Sequence, residues 1–263
     1  MIAFRRALFT HLILASASSL MTMLTLILAE ESFNVSYITL VFFSAILVYR
    51  LAYYGLPFKL NSLNTIDRYL AVISVCILCI TVFFICADEV AGLAVVALAC
   101  LAYFAPLRNG KGLRSITFLK SVWLAVVWAL VTVWIPLHFS TNREALFILG
   151  ERFLFMLAIC IIYNLRDLHH DTVTGIKTVL HKLGVPVTKL VCILILMMAQ
   201  LLILFHHYPE PIYISLSVSM AATGLTVIAA RRNGSWWYYT LLVDGSMIIQ
   251  YLLVVFAVQN SVN

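Results

Sequence analysis

Asn164, Asp167 and Asp171 are spaced by three and then four residues, which on a helix puts all three on one face. Two carboxylates at that spacing repel each other unless a cation lies between them, so the row reads as a metal site. Tyr163, Arg166, His169, His170, Gly175, Lys177 and Gly184 crowd the same stretch of a chain that is otherwise almost all hydrocarbon. Charge is costly beside a bilayer, so a cluster of this kind points to function. A plainer reading stays open, in which Asp167 and Asp171 pair with Arg166, Lys177 and Lys182 at a solvated helix end. His169 and His170 are adjacent and face different sides, which suits a solvated loop better than metal ligation.

The elements that must position this row are set by composition. Of 263 residues, 63% are hydrophobic and 11% charged, with a mean hydropathy of +1.04. That balance excludes a soluble domain and predicts an all-α, polytopic membrane protein. A bilayer is crossed by about 20 apolar residues in a helix. Nine such stretches are expected, at 11–29, 35–55, 69–87, 90–107, 115–137, 146–164, 188–206, 211–230 and 236–258. The connections are short, so residues 1–263 read as one transmembrane domain.

Basic residues set the orientation. With the N-terminus inside, 15 of the 17 lysines and arginines fall on the cytoplasmic side, Arg143 and Arg152 excepted. Glu30, Glu31, Asp88, Glu89, Glu144 and Glu210 fall on the other. This satisfies the positive-inside rule and places the C-terminus outside. The net charge of +6 then reflects topology and anionic membrane lipids, with no nucleic acid implied. Arg5-Arg6 and Ala15-Ser16-Ala17 have signal-peptide features, but eight further spans favour a retained first helix. Six cysteines, all within expected spans, read as small hydrophobes, Cys76 and Cys79 included.

Polar residues concentrate in two long cytoplasmic connections, Leu56–Arg68 and Asp167–Thr188, after spans two and six. Asn64-Thr65-Ile66-Asp67 in the first and Asn164-Leu165-Arg166-Asp167 leading into the second are both N-x-x-D. This spacing suggests two related halves presenting a loop to the same side.

The segment from Asn164 to Gly184, with Asp167, Asp171, Gly175, Thr178, Leu183 and Gly184 in register, resembles the second aspartate motif of the UbiA prenyltransferase superfamily. Nine helices with loops after spans two and six are similar to that family as well. Asn164 stands where the family has an aspartate. The family's first aspartate motif is missing, because residues Tyr49 to Pro57 carry Arg50 and no carboxylate, and the nearest acid is Asp67.

The resemblance implies a membrane prenyltransferase, a Mg²⁺-dependent enzyme that moves an isoprenoid chain from a prenyl diphosphate to a hydrophobic acceptor, aromatic or lipid. It also implies a bacterial inner (cytoplasmic) membrane. Mg²⁺ held by carboxylates would neutralise the leaving diphosphate. On this reading Asp167 and Asp171 hold the metal, with Asn164 auxiliary, and Arg166 and Lys177 contact phosphate. Asp167, Asp171 and Arg166 form the catalytic set. Arg50, Lys59, Arg68, Asn64 and Asp67 are the substrate-binding set on the other loop, the three cations substituting for a second metal. Tyr49, Tyr53, Tyr54, Tyr103 and Tyr163 are candidates to stabilise an allylic cation.

Two alternatives come from other classes. One is a UbiA-like protein that has lost catalysis and binds an isoprenoid lipid. The other is a secondary transporter using Arg152 and Asp244. Asp244, mid-span, is expected to face a cavity or a partner such as Arg152. Glu151 and Arg152, neighbours in sequence, are expected on different faces and unable to neutralise one another. Trp236, Trp237, Tyr238 and Tyr239 read as an interfacial anchoring belt, and His206-His207 as interfacial.

Overall fold

Long runs of apolar residues, in which every backbone polar group must be satisfied within its own segment, fold here as helices. The structure is a computed structural model that describes residues 2–54, 64–104, 119–166, 168, 179–232 and 234–262. Among those residues it is helical without strands. The helices are α1 (Ile2–Leu28), α2 (Val35–Tyr54), α3 (Thr65–Thr81), α4 (Ala87–Phe104), α5 (Leu119–Ala129), α6 (Arg143–Ile162), α7 (Val179–His206), α8 (Glu210–Ala229) and α9 (Gly245–Val262). Each overlaps one of the apolar stretches expected from the sequence. Among the described residues, six segments are long and apolar enough to cross a membrane: Arg6–Leu28, Thr65–Phe84, Arg143–Arg166, Leu180–His206, Glu210–Ala229 and Tyr238–Ser261. Val35–Arg50 and Leu119–Trp134 are shorter apolar helices.

Asparagines start three of the helices. Asn64 Oδ1 accepts the Asp67 amide at 2.9 Å at the head of α3, and Asn142 Oδ1 accepts that of Ala145 at 2.7 Å before α6. Asn34 does the same for Tyr37 at 3.1 Å before α2. Each cap satisfies a donor that the first turn leaves open. Gly184, at φ +74, interrupts α7 with a non-helical residue, a conformation that costs any other side chain. Its carbonyl accepts Thr188 Oγ1 at 2.7 Å, and Pro186 follows in the first turn of the resumed helix, where a missing N–H costs nothing.

The helices pack as a chain of neighbours. α3 lies on α2, α2 on α1, α1 on α9, α9 on α8, α8 on α7, α7 on α6, and α6 on α5. α2 also reaches the far end of α5, where Tyr37 Oη donates to the Val131 carbonyl at 2.7 Å. Tyr37 and Val41 of α2 cluster there with Val96 of α4 and Ile135. The main core joins α1, α5, α6, α7, α8 and α9 through residues such as Met21, Trp128, Phe155, Leu196, Met220 and Met247. Outward, Phe83, Leu98, Met197, Leu225 and Phe256 are exposed, as a lipid-facing surface requires. The protein is an integral membrane helical bundle.

Two helices carry a π-helical turn. One extends α5 over Leu130–Trp134; the other, Tyr238–Val243, precedes α9 and ends at Asp244. Such turns free backbone groups and redirect side chains, and they often mark functional positions.

Candidate functional site

Intramembrane ionisable groups are rare and must find partners, and at one end of this bundle several find each other. Arg50, in the last turn of α2 with side chains described, is buried and forms an ion pair with Asp67 of α3. Asp67 is itself only 2% exposed. The other terminal nitrogen, Arg50 Nη1, lies 3.3 Å from His11 Nδ1 on α1. Arginine can only donate, so Nδ1 is the acceptor and the histidine proton sits on Nε2. The His11 ring stacks on Tyr49 at a centroid distance of 5.9 Å.

Arg166 comes from the other half of the chain, just beyond α6. Its guanidinium lies over the Tyr163 ring at 4.4 Å, and its charge acts on His11 together with that of Arg50. The Arg50–Asp67 pair and Arg166 reach the same end of the bundle, because Thr10, next to His11, meets Thr240 at 3.1 Å while Tyr163 meets the Tyr239 carbonyl at 3.0 Å. Stacking on Tyr163 holds the Arg166 plane by a cation–π contact.

Asn164 is 1% exposed, and its Nδ2 donates to Ser121 Oγ on α5 at 3.3 Å. Its amide is thus fixed against a neighbouring helix. Asn64 is exposed, with its side-chain oxygen spent on the α3 cap. Arg68, one turn into α3, is exposed at the same end. Lys59, Asp167, Asp171 and Lys177, along with His169 and His170, lie outside the described residues, as do the side chains of Tyr53, Tyr54 and Tyr103. Among the described residues no group of three or more His, Cys, Asp or Glu is placed to hold a metal. On the first-half side the donor set does not fit one, because the Arg50 guanidinium already occupies the Asp67 carboxylate.

Asp244 is fully buried at the end of its π turn. Its backbone N–H donates to the Tyr239 carbonyl at 3.0 Å, the same carbonyl that Tyr163 Oη meets, which places it close to Tyr163 and the arginine end. It is not the partner of Arg152, contrary to the sequence expectation. Arg152 lies deeper along α6 and reaches Met21, Thr132 and Glu151 instead. The expectation that Glu151 and Arg152 cannot meet is also corrected, since Arg152 Nε lies 3.9 Å from Glu151 Oε2. Adjacent helix positions point 100° apart, but both side chains are long enough to curl back toward one another.

The aromatic run after α8 is more than a belt. Trp237 is 53% exposed, but Tyr239 is fully buried. Trp236 Nε1 donates to Thr10 at 3.0 Å, Tyr239 Oη to the Arg231 carbonyl at 2.8 Å, and Tyr238 Oη to the Thr226 carbonyl. Tyr163 Oη donates to the Tyr239 carbonyl at 3.0 Å, which ties this segment to the site.

His11 is the site residue that spacing arguments overlook. It belongs to no motif, and the signal available was a lone ionisable residue inside an apolar first span.

No family model matches this chain, and no curated protein matches it. Among solved structures it is similar to the apo structure of a UbiA homolog from Aeropyrum pernix K1, with a TM-score of 0.58 over 98% of both chains at 12% identity. The chain has the fold of that UbiA homolog from end to end.

Proposed function

We propose that this protein is a UbiA-superfamily prenyltransferase of the cytoplasmic membrane. It would move an isoprenoid chain from a prenyl diphosphate to a hydrophobic acceptor at the end of the bundle that carries Arg50 and Arg166. The observation that carries this reading is the convergence of Arg50, Asp67, His11 and Arg166, drawn from both halves of the chain, at the end where the aspartate-bearing segment begins. The nine-helix crossing with an inner N-terminus and outer C-terminus belongs to this proposal.

In the reaction, the bond between the allylic carbon and the diphosphate oxygen breaks and its electron pair leaves with the diphosphate. The acceptor nucleophile bonds to that carbon and gives up a proton. Asp167 and Asp171, with the Asn164 amide oxygen, would hold Mg²⁺, which supplies charge neutralisation of the leaving group when bound. Arg166 and Lys177 would bind phosphate oxygens, with Arg68 and Lys59 of the other loop as further cations for the diphosphate. Tyr163 and Tyr49 offer aromatic faces to the developing cation. The surrounding apolar core excludes water, which would otherwise capture it.

The Arg50–Asp67 pair favours a second reading. A chain whose first-half carboxylate is neutralised by an arginine could hold an isoprenoid diphosphate or lipid without turning it over.

The test is diphosphate release from a prenyl diphosphate by purified protein in membrane-lipid nanodiscs supplied with a lipid extract. Mg²⁺-dependent release that is lost in Arg166→Ala supports transfer. Saturable binding without release supports the second reading, and the absence of both removes the family assignment as a guide to function.

A further inference from the structure

A second set of buried polar groups lies far from the arginine end. Arg152 is 0% exposed in the middle of α6, 14 residues before Arg166, or about 21 Å along a helix axis. Its Nη1 donates to the Met21 carbonyl of α1 at 2.9 Å and to Thr132 Oγ1 at 3.1 Å. Thr132 is delivered by the π turn of α5. The remaining donors, on Nη2 and Nε, have no hydrogen-bond partner among the described residues. The 3.9 Å from Nε to Glu151 Oε2 is a charge contact too long for a hydrogen bond.

Glu151 is 4% exposed, and its other oxygen, Oε1, accepts Gln250 Nε2 of α9 at 3.0 Å. That bond fixes the amide orientation, since the flipped amide would set oxygen against carboxylate. Gln250 Oε1, on a side chain that is 0% exposed, is left without a donor. One carboxylate is thus flanked on one side by open donors and on the other by an open acceptor. Buried polar groups are nearly always bonded, so such a pair calls for an occupant.

We propose that Glu151, Arg152 and Gln250 form a second binding site, in the middle of the bundle, for the hydroxyl group of a neutral membrane-soluble amphiphile, an alcohol or phenol. The chemistry follows from the open valences. Glu151 and Arg152 cancel, so an ionic ligand would leave a net charge in hydrocarbon. A hydroxyl oxygen accepts from Arg152 Nη2 while its proton goes to Gln250 Oε1, and no group with only one of the two functions does both. Tyr208, partly exposed at the turn between α7 and α8, lies within electrostatic reach of both charges. The site is independent of diphosphate chemistry at the opposite end.

The test compares 4-octylphenol with its methyl ether, 4-octylanisole, by equilibrium binding to the whole protein in detergent micelles. The phenol is expected to bind roughly tenfold tighter, as loss of one buried donor interaction implies. Gln250→Met, close in volume, should erase that preference. Equal binding of phenol and ether by the unmodified protein overturns the proposal without relying on any variant. So does an undiminished preference in folded Gln250→Met, or the absence of saturable binding, which would make the pair an internal strut.

Discussion

Arg50 and Asp67, 17 residues apart, close a buried ion pair between α2 and α3 at the end of the bundle that carries Arg166. The pair places an internal cation beside the first half's one nearby carboxylate. It makes that carboxylate unsuited to a metal, so the Mg²⁺ site proposed above would rest on the second-half aspartates alone.

Breaking this pair on one side should be costly. Arg50→Met or Asp67→Leu alone leaves an uncompensated buried charge, with an expected loss of about 3–5 kcal/mol. The double variant should recover most of that loss. Chemical unfolding in mild detergent checks it, and additive single losses in the double variant would deny the coupling.

Gly184→Ala should destabilise the start of α7 by about 1 kcal/mol or more, because φ +74 is strained for a residue with a Cβ. The space around Gly184 is open, so the effect would be conformational. Gly245→Ala, at a glycine with equally open surroundings and no positive φ, is the control and should be nearly neutral. A comparable loss in both would remove the backbone explanation.

Asn142→Ala removes the α6 cap and should lower stability by about 1 kcal/mol with diphosphate binding intact. Asn64→Ala removes the same kind of cap from α3, but there the capped residue is Asp67 itself. It should therefore also weaken prenyl diphosphate binding several-fold. Equal binding by the two variants would disconnect the α3 cap from the site.

The helices were legible because apolar length alone defines them, and each expected stretch overlaps a helix. The Asn164–Gly184 signature pointed to the correct fold, and the strained φ at Gly184 gives its closing glycine a physical reason. The Arg50–Asp67 pair was not legible. Both residues stood in the substrate-binding set, Arg50 as a diphosphate cation and Asp67 as the nearest acid, without being paired, and only the α2–α3 packing brings them together. His11 carried no spacing information at all. Glu151 and Arg152 misled for a geometric reason, since wheel positions describe Cβ directions and not the reach of long side chains. Arg152 and Asp244 looked like partners as the charges of two mid-span segments, but depth along α6 and α9 separates them.

Arg166→Lys is a sharper probe of the second half than Arg166→Ala. Lysine keeps the charge but loses the planar stack on Tyr163 and the bidentate fork. Diphosphate affinity should fall by roughly tenfold in Arg166→Lys, and Tyr163→Leu should lower it less. Unchanged affinity in Arg166→Lys would reduce the residue to a point charge.

The most direct measurement is binding of a long-chain prenyl diphosphate to the purified protein, with Mg²⁺ and with EDTA, for the unmodified chain and for Asp171→Ala. Metal-dependent binding that the substitution abolishes is the predicted result and places the diphosphate at the second-half aspartates. Binding indifferent to both metal and Asp171, or no binding, would contradict the account and leave a UbiA-like bundle with another role.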